Sequence, residues 1–186
     1  MKFGQIGVFQ NGGTPSTKHP EYYGGNIPWL STVGLGCLYA GSDQAKSFLT
    51  KAGVENSSTH IVPKNSLLIG IRVGVGKCSI SETELCTNQD ITAITNIDQS
   101  KWDLRYLKLY IDSKNRFFEA AKKGATIKGI TLDDIKDLEI TDIPLDKQSS
   151  TGESILSIKN ALRQKNGEIK NLESLVKSRF RGETIA

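Results

Sequence analysis

The residues of this chain whose types suggest chemistry are three cysteines, two histidines and one glycine- and lysine-bearing segment. Cys37, Cys78 and Cys86 are odd in number and irregularly spaced. That fits neither a CxxC zinc pattern nor a disulfide framework, and reduced, buried thiols are the ordinary state of such residues. A nucleophilic site would have to pair Cys78 or Cys86 with His60, because His19 and His60 are the only histidines. A hydrolase triad would draw on the same short supply. The segment GIRVGVGKC (70–78) has the outline of a phosphate-binding loop. However, five residues separate Gly70 from Gly76-Lys77, and Cys78 stands where a Ser or Thr would hold magnesium. The acidic pairs Asp133-Asp134 and Glu82/Glu84 sit at a helix start and in a turn, where acids are favoured or simply solvated. No GxSxG elbow and no dinucleotide fingerprint in strand–helix context is present.

What remains is charge placed on turns. The net charge is only +4, but residues 101–128 hold eight basic and three acidic groups. A basic stripe on a near-neutral domain is one footprint of a polyanion partner, although most charge runs are solvated faces. Segment 70–78 reads most simply as a strand–turn–strand with Arg72 and Lys77 near its tip.

The elements that would position these groups fall into two kinds. The first hundred residues read as loops and short strands, punctuated by Asn11-Gly12-Gly13-Thr14-Pro15, Gly24-Gly25-Asn26 and Gly34-Leu35-Gly36. Residues 66–73 predict a strand bounded by turns. Ile91-Thr92-Ala93-Ile94-Thr95 alternates with period two, as a half-buried strand does. Over 101–123 the period becomes helical, with Leu104, Leu107, Ile111, Phe118 and Ala121 on one face, Asp98 or Ser100 as candidate caps and Gly124 past the end. Thr131 with Asp134 predicts a capping box, and Leu138-Glu139-Ile140 alternates again.

Residues 146–152 (DKQSSTG) read as a polar break. From about Ser150 to Phe180 runs one long helical pattern, with Ser150 and Glu153 as a candidate capping box. Ile155, Ile158, Leu162, Ile169, Leu172 and Val176 step by 3, 4, 7, 3 and 4, a heptad seam with Lys165 as its one polar member. So narrow a stripe suits pairing with another helix better than burial on a globular face. The organisation expected is a domain over 1–147, a pairing helix over 148–181 and a tail over 182–186. The fold class expected is α+β, a β-rich domain with a few helices followed by a long coiled-coil-forming helix. No apolar run reaches the roughly 20 residues of a membrane span, and no secretory h-region opens the chain, so a cytoplasmic protein is expected.

Five segments, in order, resemble the specificity (S) subunit of type I restriction–modification systems. They are NGGTPSTKHPEYYGGNIPWL (11–30), ENSSTHIVPKNSLLIGIRVGVGKCSI (55–80), ELCTNQDITAI (84–94), GATIKGITLDDIKDLEITDIPL (124–145) and the final helix with LESLVKSRF (172–180). The resemblance implies a non-catalytic chain without cofactor or metal, in which one recognition domain reads half of a split double-stranded DNA target. It implies partners too: methyltransferase (M) subunits that bind S-adenosylmethionine, and restriction (R) subunits that use ATP. Full-length members carry two recognition domains and two helical regions, whereas one of each is present here. Asp146-Lys147-Gln148-Ser149-Ser150 departs from the family's usual helix start.

Within that reading, phosphate contacts are expected from Lys18, Arg72, Lys77, Lys122, Lys123 and Lys128, with Thr14, Ser16, Thr17 and Thr126 as small donors. Base reading is expected from Arg72, Asn88 and Gln89, although both amides serve equally well as turn residues. Tyr22, Tyr23 and Trp29 suit anchoring better than base stacking. Two chains paired antiparallel through the seam would read an interrupted palindrome. The competing classes are a small enzyme using Cys78 or Cys86 with His60, and a helix-mediated scaffold with no DNA role.

Overall fold

The structure, a computed structural model, describes residues 1–124 and 128–182, with side chains described as far as Phe180. The core is a five-stranded sheet. In chain order its strands are β1 (Val8–Asn11), β3 (Tyr39–Ala40), β5 (Leu67–Gly70), β6 (Cys78–Ser81) and β8 (Ile91–Thr95). In space they run β1-β8-β5-β6-β3, all antiparallel except the edge pair β3–β6. A smaller sheet places β2 (Tyr23–Leu30) between β4 (Ser47–Leu49) and β7 (Cys86–Thr87), with β2 and β7 parallel.

Every residue of β5 and β8 is buried, so the large sheet is covered on both faces. Successive side chains of a strand point to opposite faces, and β5 shows the result. Leu67 and Ile69 join a cluster with Phe3, Leu107, Ile111, Phe118 and Ile135, while Leu68 joins Leu30, Val62, Leu85 and Ala93 on the far side. The expected half-buried character of 91–95 is therefore corrected. Thr92 and Thr95 are buried, with their hydroxyls donating to the carbonyls of Gln10 and Val8.

The helices are α1 (Lys51–Glu55), α2 (Leu104–Ser113), α3 (Asn115–Ala121), α4 (Leu132–Lys136) and α5 (Leu145–Gly182). The single helix expected over 101–123 breaks at Lys114 (φ −89°, ψ 6°) into α2 and α3. Its cap is Asp103, whose carboxylate accepts from the backbone N–H groups of Arg105 and Tyr106. Asp98 instead closes the preceding turn on Ser100. The Thr131–Asp134 capping box is present. The start of the chain is stitched to its later part. The Met1 ammonium donates to Ile140 O (2.9 Å) and Phe3 N–H to Leu138 O (2.8 Å), so the way into the domain lies against the segment that leads out of it to α5.

Helix α5 begins at Leu145, ahead of the expected start, and the Pro144 carbonyl accepts its first bonds from Lys147 and Gln148. The polar run 146–152 is thus helix, not a break. Ser150 lies inside it, donating back to Lys147 O rather than forming a capping box. Thirty-eight residues make a rod of about 57 Å. Its first part lies beside α2 through a polar face, described below. The apolar seam turns elsewhere, with Ile155, Ile158, Leu162, Ile169, Leu172 and Val176 all exposed. Gly167 is helix interior, and a Cβ there would meet nothing within 4 Å. Gly167→Ala is therefore expected to stabilise α5 by about 1 kcal/mol, seen as a higher helix melting temperature by circular dichroism. An unchanged melt would show that this stretch is not helical in solution.

Candidate nucleic-acid interface

Four expected contact segments are tied to one another by backbone bonds along the edge formed by strand ends of the large sheet, where β1 and β5 finish and β8 begins. The opening loop is held first. Gly12 N–H donates to Ile91 O (3.0 Å) and Gly13 N–H to Thr87 O (2.8 Å), while Trp29 Nε1–H donates to Gly13 O (3.0 Å) and the Tyr23 hydroxyl to Pro15 O (2.7 Å). The approach is close enough to demand glycine, since a Cβ on Gly13 would fall 2.4 Å from Ser58. Trp29 and Tyr23 thus anchor the loop, while Tyr22 stacks on His19. Thr14, exposed at the loop tip, donates its hydroxyl to the exposed Gln89 amide oxygen.

From Gln89 the network continues. Ile71 N–H donates to Asp90 O (2.8 Å), Ile130 N–H donates to Ile71 O (2.8 Å), and Lys123 and Gly129 exchange both backbone bonds (2.8 and 2.9 Å). The exposed Arg72, at the turn between β5 and β6, is thereby placed between the 88–90 turn and the 123–130 segment that carries Lys123 and Lys128. Gly74 (φ +63°) and Gly76 (φ +78°) close this turn in the left-handed region, where side-chain-bearing residues are strained.

Not every expected residue joins. Asn88 is buried at 9% exposure and its amide is committed to Asp90, accepting from the Asp90 N–H and donating to its carboxylate. It holds the turn, and Gln89 alone presents an amide there. Lys122 is tied to Glu119 (2.5 Å). Lys77 lines a cleft of about 510 Å³ with Asp112, Asn115, Glu119 and Lys159, among the helices. Lys18, Ser16 and Thr17 are exposed just after the opening turn. Arg72, Lys18 and Lys128 enter no ion pair among the described residues. Thr126, like the expected tail beyond 182, lies outside the described residues.

The enzyme reading loses its nucleophiles here. Cys78 is fully buried, and burial pushes its thiol far above the usual range. Burial likewise pushes the Cys86 thiol up, to about 11, against a smaller opposing hydrogen bond from Thr59. Neither is a thiolate at neutral pH, and the thiolate is the reactive form. Among the described residues no group of three or more His, Cys, Asp or Glu could hold a metal ion, and no helix is long and apolar enough to cross a membrane.

A second set of residues, missed in the sequence, joins the domain to α5. The Gln148 side chain is fully buried: its oxygen accepts from Asp103 N–H (3.0 Å), and its nitrogen donates to Lys101 O (2.9 Å) and Ile143 O (2.8 Å). Burial raises the Asp103 carboxyl, but hydrogen bonds from Arg105, Ser149 and two backbone N–H groups outweigh it and hold it at about 2. Being depressed below 3.8, this group stabilises the fold fully above about pH 4 and loses that contribution as pH falls toward 2, a swing of about 2 kcal/mol. The melting-temperature gap between wild type and Asp103→Asn is therefore expected to shrink over that window. A gap constant from pH 5 to pH 2 would contradict it.

The model of the type I restriction modification DNA specificity domain matches residues 1–174. The specificity subunit of type I restriction enzyme MjaIX from Methanocaldococcus jannaschii is 30% identical over 139 residues, which is 73% of this chain and 32% of that protein. The EcoR124I/EcoR124II specificity subunit from Escherichia coli is 31% identical over 134 residues, 68% of this chain and 32% of that one. This chain thus spans about a third of the length of the curated relatives it matches. Among solved structures, the S subunit from Thermoanaerobacter tengcongensis superposes with TM-score 0.66 at 16% identity, covering 88% of this chain and 37% of that chain. A type I restriction–modification structure concerned with complex assembly and conformational transition gives TM-score 0.65 at 18% identity, covering 93% and 43%. These two show the shared fold, a mixed sheet domain followed by a long helix. The protein belongs to the type I restriction–modification DNA specificity domain family.

Proposed function

We propose that this chain is a non-catalytic DNA-recognition module of a type I restriction–modification complex, reading one half of a two-part target and pairing with a second copy through α5. The observation that carries the reading is the bonded edge itself. Thr14, Gln89, Arg72, Lys123 and Lys128 come from four separate segments, yet these are bonded to one another beside the fully buried strands β5 and β8. Forked and amide donors over a rigid scaffold suit base edges, while flanking lysines and hydroxyls suit phosphates. One such domain makes few specific contacts, each discriminating by about 1–3 kcal/mol, so a lone chain binds weakly. Two chains joined by antiparallel helices make the second engagement intramolecular.

On this reading methyltransferase subunits supply S-adenosylmethionine chemistry, restriction subunits supply ATP-driven cleavage, and the assembly works in the cytoplasm. The test is single-molecule methylome sequencing of a host expressing this chain with its methyltransferase subunit. An interrupted palindrome supports both recognition and symmetric pairing. An asymmetric motif refutes the pairing of identical chains, and unmodified DNA from an assembled complex refutes recognition.

A further inference from the structure

Helix α5 meets α2 and the residues that lead into it through a row of ion pairs and side-chain hydrogen bonds. Three points lie along it. At the near end, Gln148 and Ser149 engage the Asp103 cap, with Ser149 Oγ donating to the carboxylate (2.8 Å). In the middle, Arg105 donates to Glu153 (3.2 Å), beside the buried Gly152, whose backbone lies against Arg105 and Tyr106. At the far end, Asp112 accepts Lys159 (2.8 Å) together with the nearly buried Lys108 (2.7 Å). Asp103 meets Ser149, Arg105 meets Glu153 and Asp112 meets Lys159, so the sequence offset stays near 47 and the two helices run parallel side by side.

Two well-separated anchors fix an angle where one would leave a pivot. Gln148 and Lys159 are eleven residues apart, about 16 Å along the axis. The docked positions Gln148, Gly152, Leu156 and Lys159 centre roughly 100° around the helix from the seam, at about 100° per residue. Docking and pairing therefore use different faces of one rod, and the first leaves the second open.

We propose that this polar clasp sets the distance between the two half-sites that a paired assembly reads, with Lys159 and Asp112 as the positioning pair that fixes the angle of α5 on its recognition domain. This rests on the reading that paired chains recognise a two-part DNA site. The lever is long. A displacement of 1 Å at Lys159 becomes about 3 Å at the far end of α5, some 51 Å from Gln148, close to the roughly 3.4 Å rise of one base pair. Loosening the far anchor thus blurs spacing by about one base pair while leaving the base-reading edge intact.

The experiment uses Lys159→Met, which removes the far anchor at a half-exposed position and keeps the Lys108–Asp112 pair, with Lys159→Arg as the conservative variant. Methylation by the assembled complex is measured on DNAs with identical half-sites and spacers one base pair shorter, equal and one longer. Wild type is expected to prefer one spacer by about tenfold or more, the equivalent of one lost base contact. Lys159→Met is expected to flatten that preference while Lys159→Arg restores it. An equal loss on all three spacers would mean a structural role only and overturn the proposal. A second arm needs no DNA. Spin labels at Glu84 and Lys170 in a Cys37→Ser background, diluted with unlabelled chain, report the domain-to-helix distance. Broadening in Lys159→Met supports the clasp, and an unchanged distribution overturns it. Should wild type methylate no spacer while the distance still broadens, the clasp stands and the DNA-reading proposal fails.

Discussion

Aspartate at both Ile169 and Leu172 is expected to leave the protein monomeric at micromolar concentration and to weaken binding to its two-part site by about 10²–10⁴-fold, the gain that intramolecular engagement normally confers. The two residues are 52% and 61% exposed and lie well past the last contact of α5 with the domain. Both lie on a seam that otherwise contains Ile155, Ile158, Leu162 and Val176, with apolar residues at every heptad position but Lys165. A single chain leaves this stripe in water, and pairing would bury it. Two carboxylates at the centre of such an interface must shed water without a partner, which the interface cannot offset. Because both positions are exposed and no described residue of the domain bonds to them, its own unfolding transition is expected to stay within about 0.5 kcal/mol of wild type, as for surface sites generally. Sedimentation velocity reads the first effect and denaturant unfolding the second. A double variant that still sediments as a dimer removes the seam from the pairing model.

Arg72→Ala is expected to reduce affinity for the specific site by about 10–100-fold, the 1–3 kcal/mol of one bidentate base contact. Arg72→Lys is expected to recover little of it, because an ammonium lacks the planar fork that spans two acceptors. Lys128→Ala offers the contrast. It is expected to weaken specific and scrambled DNA alike and to lower the salt slope by about one ion. The distinction follows from placement. Arg72 stands at the turn between two core strands, with Ile71 before it and Gly74 after it held by backbone bonds, while Lys128 is exposed next to Gly129. Titrations of both DNAs at several salt concentrations decide the matter. Equal losses for Arg72→Ala on specific and scrambled DNA would make it a phosphate contact and withdraw it from sequence reading.

The parts of the fold that were legible in the sequence are those with a strong local period. The seam of α5, the β5–β6 turn and the Thr131 capping box each follow from spacing alone, and the face Leu107–Ile111–Phe118 is buried as its period requires. What was not legible depends on partners distant in sequence. Gln148, Ser149 and Gly152 look like a linker because Ser and Gly are poor helix formers. They are helical because the Gln148 side chain completes three hydrogen bonds, with Asp103 N–H, Lys101 O and Ile143 O. The strands β3 and β7 are two residues long and pair in parallel with distant segments, so no local alternation announces them. Asp98, Ser100 and Asp103 all carry capping chemistry within six residues, and only the tertiary fit selects Asp103. At the edge itself, residue type nominated Arg72, Gln89 and Thr14, and the fold brings their segments together. Residue type could not separate Gln89 from Asn88, because the difference is a turn that withdraws one amide and presents the next.

The stitching of residues 1–3 to residues 138–140 has a consequence for ancestry rather than for binding. A module entered and left at adjacent points can be exchanged for another of the same outline without redirecting whatever lies before or after it, much as a domain with neighbouring termini tolerates insertion. If the domain reads DNA as proposed above, recombination at those two seams would hand the same helix a new reading head in one step, and a new target sequence would then need no gradual substitution.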